Sequence, residues 1–260
     1  MTREHSLRAT AHATPAPTIV LVPGLDGTAL LFYRQIPLLA ERFNVVAFPL
    51  CDDAAHTMAD LVAELRALIE QTATAPVVLC GESFGGALAM SLALEHPEHV
   101  SGLVIVNSFP VIRTRLRLKA APLALRMFPW AAMPAVRRFT ENRLHSLHTH
   151  PEDLHEFHER SKAIGREGYI RRLEILQHYD IRNRLAALKP PALFLAGDCD
   201  RLLPSVFEAR YMADRVPHAE IRILEGYGHV CLINHDLNLL DYIAPWYEQF
   251  NAAASGLQRA

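Results

Sequence analysis

The sharpest chemical signal in the sequence is a serine held between two glycines, in the motif Gly81-x-Ser83-x-Gly85. The motif follows the short apolar run 77–80 and precedes a helical pattern that begins near Ala87. Strand, sharp turn and helix form the setting in which a serine hydroxyl stands clear of the backbone as a nucleophile. An idle serine in a glycine-rich turn is the alternative, but a chance match is expected only about 0.02 times in such a chain. The sequence therefore predicts a nucleophilic Ser83.

A serine hydroxyl needs a general base, and that base needs an acid to orient it. Both are expected on loops after later strands, in the order serine, acid, histidine. Asp200 follows the apolar run 192–196 and is the predicted acid, with Asp198 as the alternative. His229 comes after the last apolar run, beside Gly228, and is the predicted base. The order Ser83, Asp200, His229 thus predicts a catalytic triad.

The tetrahedral intermediate of such a reaction also requires backbone N–H donors for its oxyanion. One donor is expected from Phe84, the residue after the nucleophile, and the other from the loop after the first strand. Glycines 24 and 27 flank that loop and let the backbone approach closely, so Leu25 N–H is the second candidate. The alternative is that both glycines only shape a tight turn.

A fold must bring the loops that carry these residues together, and the hydrophobic pattern indicates which fold does so. Six short apolar runs alternate with helical patterns, which predicts an α/β fold with a doubly wound, mostly parallel sheet. Helices are expected from about Ala29 to Arg42, from Thr57 onwards, and from about Asn234 to Phe250. Thr57 is the predicted N-cap, and the Asp60 side chain is expected to bond back to the cap backbone. The predicted strands are Thr18–Val22, Asn44–Phe48, Val77–Cys80, Leu103–Asn107, Ala192–Ala196 and Ile221–Leu224.

The long interval between the fourth and fifth strands carries helical patterns and no strand pattern. We expect residues 1–110 and 190–260 to form the core, and residues 111–189 to form a helical cap, called here the insert. The cap would cover the carboxyl ends of the strands, the edge where open α/β sheets bind ligands. Residues 1–17 are expected to be a loose arm.

The insert should set the substrate. Its apolar side chains Met127, Phe128, Trp130 and Met133 are candidates for contact with an acyl group. Its first part has basic residues and no acidic ones, which would suit an acidic acyl carrier, a CoA ester or an anionic membrane surface, although a solvated basic face is the favoured interpretation. Histidines 145, 148, 150, 155 and 158 are interpreted as solvated rather than as metal ligands, so no metal is predicted. The basic residues are Arg113, Arg115, Arg117, Lys119, Arg126, Arg137 and Arg138.

From Thr18 to about Phe250 the sequence resembles the α/β-hydrolase superfamily, as a serine esterase- or lipase-like member with a helical cap. The matching pieces are the turn 22–27, the elbow 81–86, the loop 197–200 with Pro204, and Gly228-His229. Two segments depart from the common pattern: Pro23-Gly24 replaces His-Gly, and 49–53 replaces a Gly-x-Gly-x-Ser loop. The early antiparallel strands of many members are not visible, so we expect a trimmed sheet. Epoxide and haloalkane hydrolases carry a carboxylate at the elbow, which disfavours those activities here.

Composition narrows the function classes further. A net charge of −2 gives no nucleic-acid signature, and no run approaches the 18 apolar residues of a transmembrane helix. Four scattered cysteines and no apolar leader favour a cytoplasmic protein. The first hypothesis is a hydrolase that cleaves small carboxylic esters without a cofactor. The alternatives are a thioesterase or acyltransferase on CoA- or carrier-bound acyl chains, and a non-catalytic ligand-binding protein.

Overall fold

The computed structural model of the protein describes residues 16–139, 141–146 and 149–257, so most of the predicted arm lies outside the described residues. Its centre is a sheet of six strands in the order β2-β1-β3-β4-β5-β6, and every pairing is parallel. This confirms the predicted α/β fold class. In the described part of the chain no antiparallel strand joins the sheet. The strands are β1 (Thr18–Val22), β2 (Asn44–Ala47), β3 (Val77–Glu82), β4 (Val100–Val106), β5 (Ala192–Gly197) and β6 (Ala219–Leu224).

The helices cover both faces of this sheet. Alternate residues of β1 pack into different cores: Val20 and Val22 lie in one cluster, and Ile19 and Leu21 lie in the other. A strand buried on both sides explains its uninterrupted apolar run. The α-helices are α1 (Gln35–Leu39), α2 (Met58–Thr72), α3 (Phe84–Glu95), α4 (Arg115–Met127), α5 (Met133–Phe139), α6 (Glu141–Leu144), α7 (Pro151–Ser161), α8 (Arg166–His178), α9 (Ser205–Ala213) and α10 (Leu240–Leu257).

Helix α2 begins as the sequence predicts. The Thr57 side chain accepts the Asp60 N–H, and the Asp60 carboxylate accepts the Thr57 N–H, which completes a capping box. The first predicted helix is shorter than expected. The segment forms a 3-10 turn, Leu30–Phe32, and then α1 as a separate helix. Pro37 lacks an N–H and fits only the first turn of a helix, so one continuous helix cannot run through this position.

The last helix begins at Leu240 rather than near Asn234. The Gln35 amide Nε2 donates to Leu232 O at 3.0 Å and to Leu237 O at 2.9 Å. These long-range bonds hold the segment before α10 in turns. The carbonyls of Leu232 and Leu237 accept from the buried Gln35 side chain instead of from the N–H groups of a helix. Among the described residues, no helix is long and apolar enough to cross a membrane.

The insert supplies helices α4 to α8 and, among its described residues, no strand of the sheet. Helix α4 packs against α8, and α5 packs against α7. An isolated antiparallel bridge joins Val111 to Asp180, so the two ends of the insert lie side by side. Its description as a separate cap domain stays a prediction.

The strand order reverses beside β1, because β2 pairs on one side of it and β3 on the other. Ligands bind outside the carboxyl ends of the strands at such a switch point. The loops after β1 and β3 carry Leu25 and Ser83, so this edge brings together the residues that the sequence singles out.

Candidate active site

Ser83 sits on a strained turn between β3 and α3, with φ of 53° and ψ of −114°. A non-glycine residue at positive φ is costly and persists only where the surroundings enforce it. The flanking glycines permit the turn. A Cβ added to Gly81 would lie 2.6 Å from Gly86 N, and one added to Gly85 would lie 2.6 Å from Pro23 O. The serine hydroxyl is thereby held at the carboxyl edge of the sheet.

A chain of hydrogen bonds joins the three residues of the predicted triad. His229 Nε2 lies 3.1 Å from Ser83 Oγ, and His229 Nδ1 lies 2.7 Å from Asp200 Oδ2. The loop after β5 holds Asp200 in turn, because Leu202 N–H and Leu203 N–H donate to its Oδ1 at 2.8 and 2.9 Å.

The alternative acid points elsewhere. Asp198 Oδ1 accepts the Gly226 N–H at 2.7 Å, in an exposed turn contact. Asp198 therefore shapes the loop, whereas Asp200 contacts the histidine. The hydroxyl of Ser205, the first residue of α9, donates a further hydrogen bond to Asp200 Oδ2.

The contact between Asp200 and His229 shifts the pKa of both groups. Burial would raise the pKa of Asp200, but the hydrogen bond and charge of His229, with hydrogen bonds from Leu203 N–H and Ser205, together lower it. Burial would lower the pKa of His229, yet the hydrogen bond and charge of Asp200, with the charge of Glu82, raise it above its usual value. The imidazole is thus a stronger base than free histidine and is placed to take the serine proton.

The two predicted oxyanion donors, the N–H groups of Phe84 and Leu25, are not used by the helix or the turn to which they belong. Phe84 N–H is the first of α3 and has no intrahelical acceptor. Leu25 lines the cavity in front of Ser83, and its N–H donates to no acceptor among the described residues. The turn is closed by Gly27 N–H donating to Gly24 O at 3.1 Å.

Glu82, the residue before the serine, is buried and faces the same cavity. Its Oε1 lies 3.9 Å from His229 Nε2, and the Gly24 N–H donates to the carboxyl group. Burial, reinforced by the charges of Asp26 and Asp200, raises the pKa of Glu82 to about 7, although His229 and Gly24 oppose the rise. Sequence reasoning had no separate signal for this carboxyl, because Glu82 occupies an unspecified position of the motif.

Asn107, just after β4, ties the acid and base loops together. Its Nδ2 donates to His229 O at 2.8 Å and to Gly228 O at 3.1 Å, and its Oδ1 accepts the Gly197 N–H at 2.8 Å. The next residue, Ser108, donates from Oγ to Ser83 O at 2.7 Å. A left-handed φ of 45° at Asn107 marks the constraint. The sequence placed Asn107 at a strand end but offered no means to recognise these contacts.

Arg172, on α8 of the insert, braces the turn after β1. Its guanidinium is buried and donates to Leu25 O at 3.0 Å, Cys51 O at 3.3 Å and Asp26 O at 3.4 Å. A charged donor shared among three backbone carbonyls fixes the loop that presents Leu25 N–H.

A cavity of about 340 Å³ opens in front of Ser83 and His229. Of the four apolar residues predicted to contact substrate, Met133 lines this cavity and the other three do not. Met127 is 80 % exposed, and Trp130 packs at a tilt on Tyr169. A substrate contact by Met127, Phe128 or Trp130 stays a prediction. The apolar lining comes mainly from Leu25, Leu31, Leu125, Met133, Val136, Leu144, Phe157, Ile164 and Val230.

Several basic residues of the insert have acidic partners or face the cavity. Arg113 Nε lies 2.6 Å from Glu208 Oε1, and Arg126 Nη2 lies 2.6 Å from Glu174 Oε1. Arg137 lines the cavity. These contacts account for part of the basic charge that the sequence concentrates in this segment.

The histidines of the insert do not converge on a metal site in the described part of the chain. One group of three donors there is close enough to hold an ion, and it lies elsewhere, at Cys51, His56 and Glu64. The interpretation of these histidines as solvated is wrong for His145, which is buried edge-on against Phe157. Burial lowers the pKa of His145 to about 4. His148 lies outside the described residues.

Fold and site together define a class: a parallel α/β sheet whose switch point carries a serine elbow, a histidine and an aspartate. The chain belongs to the alpha/beta hydrolase family, whose model matches residues 19–238. The predicted superfamily membership is thereby confirmed.

The individual relatives that match this chain have low sequence identity to it. "Putative carbamate hydrolase RutD" of Serratia proteamaculans is 26 % identical, over 94 % of this chain and 95 % of that protein. The protein of the same name from Cronobacter sakazakii is 29 % identical, over 83 % of this chain and 85 % of that protein.

Solved structures show the same fold. A thermophilic esterase from Thermogutta terrifontis superposes with a TM-score of 0.79 at 19 % identity, covering 95 % of this chain and 99 % of that one. The enol-lactonase of Burkholderia xenovorans LB400 superposes with a TM-score of 0.76 at 19 % identity, covering 87 % and 89 %.

Proposed function

We propose that the protein is a serine hydrolase that cleaves small carboxylic esters through an acyl-enzyme. The observation that carries the proposal is the continuous hydrogen-bond chain from Ser83 through His229 to Asp200, which opens into a largely apolar cavity. The base contacts both the nucleophile and the orienting acid, which is the geometric requirement for activating a serine.

In this mechanism Ser83 Oγ attacks the ester carbonyl carbon while His229 Nε2 takes its proton. Asp200 holds the imidazole in the required tautomer and stabilises the imidazolium. The N–H groups of Leu25 and Phe84 bind the oxyanion; one such donor is worth about 2.7–4 kcal/mol of barrier. The imidazolium then protonates the leaving alcohol, and water releases the acid from Ser83.

Carbamate hydrolysis is the second candidate, because relatives that match over most of their length carry that name. A carbamate presents the same carbonyl carbon to Ser83 and differs in the nitrogen attached to it. The thioesterase or acyltransferase alternative stays a prediction, since the ion pairs at Arg113 and Arg126 engage part of the basic charge on which it rested.

The test is hydrolysis of p-nitrophenyl esters from two to sixteen carbons, and of a p-nitrophenyl carbamate, by the parent and by Ser83→Ala. We expect turnover of short or medium esters, and a fall of about 10⁴–10⁶-fold in the variant. Ser91→Ala is the matched control, because Ser91 is a buried serine of α3 whose hydroxyl bonds Ala87 O within the helix.

Full activity in Ser83→Ala would contradict the assignment. A fluorophosphonate probe separates the remaining outcomes. Labelling of Ser83 without ester turnover would direct the search to carbamates, thioesters and carrier-bound acyl groups. Absence of labelling would favour the non-catalytic ligand-binding alternative.

A further inference from the structure

Glu82 is a buried carboxyl beside the nucleophile that the steps above do not use. We propose that Glu82 is a catalytic residue that holds the deacylating water, accepting one of its O–H groups while His229 Nε2 accepts the other. The inference rests on the proposed acyl-enzyme mechanism and assigns a group that distinguishes water from other acyl acceptors.

The spacing of the two groups fits one water. Glu82 Oε1 and His229 Nε2 lie 3.9 Å apart, which is beyond a direct hydrogen bond. A separation of this size between polar atoms is the distance that a bridging water spans. An oxygen about 2.8 Å from both atoms would subtend an angle near 90° at the water, close to that between its two O–H bonds.

The surroundings leave Glu82 free to accept such a bond. Its side chain is 8 % exposed and lines the cavity that contains Ser83. The Gly24 N–H donates to the carboxyl, and a carboxyl group accepts several bonds in all. Its charged neighbours are His229, Asp26 and Asp200. Whether neutral or ionised, the carboxyl retains an oxygen that accepts from water.

The position matches the second half of the reaction. Once Ser83 Oγ is esterified it has no proton to share, so His229 Nε2 can accept from water. The water oxygen bonds to the acyl carbon as its proton passes to Nε2. The intermediate then collapses: the bond from carbon to Ser83 Oγ breaks, Nε2 returns the proton to Oγ, and the carboxylic acid departs. Atoms and protons balance without another reactant.

The arrangement favours water over an alcohol as acceptor. Water donates two hydrogen bonds, one to each group, whereas methanol donates one and must leave Glu82 or His229 without it. Removing the acceptor at position 82 should therefore slow hydrolysis of the acyl-enzyme more than its methanolysis.

The experiment compares the parent with Glu82→Met and Glu82→Gln, using p-nitrophenyl butyrate in rapid-mixing assays with and without methanol. Methionine removes the acceptor at similar volume, and glutamine restores a carbonyl acceptor. In Glu82→Met we expect deacylation by water to fall about 10–100-fold further than the burst rate of acylation. Acylation should also slow, because Glu82 charges the surroundings of His229 and accepts the Gly24 N–H in both halves of the reaction. The ratio of methyl ester to free acid should rise by the same factor, and Glu82→Gln should return it towards the parent value.

An unchanged product ratio in Glu82→Met, or equal losses in acylation and deacylation, would overturn the proposal. A crystal structure of the parent acylated on Ser83 supplies a readout that does not depend on a variant folding. A water within 3.2 Å of both Glu82 and His229 Nε2 is expected there, and a dry gap would overturn the proposal. If the parent gives no burst and no fluorophosphonate labels Ser83, the proposed function itself fails, which is a different signature.

Discussion

The two halves of the insert attach to the molecule in different ways. The back half, α7 and α8, is joined to the core by buried polar contacts: Asp153 of α7 pairs with Arg34 at 2.5 Å and with His235 at 3.1 Å, and Arg172 of α8 bonds the turn after β1. The front half, α4 to α6, leaves Leu116 85 % exposed. The described polar side chains of the front half bond mainly to the back half; for example, Arg126 forms an ion pair with Glu174.

The difference separates two tasks within one segment. Buried, charge-assisted hydrogen bonds fix the back half against the core, so it contributes to the shape of the turn that carries Leu25. The front half supplies part of the cavity wall through Leu125 and Met133, with exposed apolar side chains on its outer side. We therefore expect substitutions in the back half to change rate and stability, and those on the outer front half to change little.

Among substitutions in the insert, the largest effect is expected from Arg172→Ala. The change removes the donor to three carbonyls around Leu25, so kcat/KM should fall about 100-fold, the scale of a small misplacement of a reacting group. Stability should fall by about 3 kcal/mol, because buried acceptors lose their partner. Urea denaturation and ester kinetics measure the two effects.

Arg171→Ala is the matched control for that variant. Arg171 is the preceding residue on the same helix, and its guanidinium donates to the His56 carbonyl, away from the serine. It should leave kcat/KM within about threefold, since it does not touch the oxyanion turn. An Arg172→Ala protein that loses stability and keeps the parent kcat would show that Arg172 does not position the turn.

A smaller loss is expected from Asp153→Asn. The amide keeps the shape of a buried carboxylate but loses its charge against Arg34, so stability should fall by about 2 kcal/mol. The control is Glu156→Gln on the same helix, whose partner Arg160 lies on a partly exposed face, with an expected loss below about 0.5 kcal/mol. Equal losses of stability in the two variants would contradict the distinction between buried and surface ion pairs.

The contribution of Asp153 should also depend on pH. Burial would raise its pKa, but hydrogen bonds from His235 and the pairing with Arg34 lower it below the usual value. The unfolded chain therefore binds this proton more readily, so the stabilisation is complete above the unfolded pKa of about 3.9 and is lost as pH falls through the lower folded value. The stability gap between parent and Asp153→Asn should be constant from pH 7 to 5 and narrow below about 4 in urea titrations.

The smallest effect is expected at Met127, on the outer face of the front half. Met127→Gln should change stability by less than about 0.5 kcal/mol, because the side chain is already in water. Met133→Gln is the matched comparison, since Met133 is buried and lines the cavity; it should shift the preferred ester chain length as well as lower stability. A chain-length profile altered by Met127→Gln alone would reverse the roles of the two methionines.

Local motifs carried most of what could be predicted from the sequence. The elbow around Ser83 is encoded within a few residues, and parallel strands must bring the loops of Asp200 and His229 to the same edge. The choice between Asp198 and Asp200 needed the fold, because both lie in one turn and only Asp200 contacts the histidine.

What could not be predicted depends on contacts between residues far apart in the chain. Arg172 meets Leu25 across 147 positions, and nothing near Arg172 distinguishes it from its neighbour Arg171. The start of α10 was misplaced for the same reason, since Gln35 bonds carbonyls about 200 residues away. Periodicity reports which face of an element is buried, but it does not report which distant backbone group a polar side chain will satisfy.

Asn107 has a consequence for transplanting this site into another protein. A single amide fixes the loops of Asp200 and His229 relative to each other, and its neighbour Ser108 holds the Ser83 carbonyl. Grafting the serine, histidine and aspartate onto a foreign sheet would transfer the proposed reacting groups without the Asn107 and Ser108 contacts that hold their loops in place. A working transplant would have to carry the end of β4 as a fourth component.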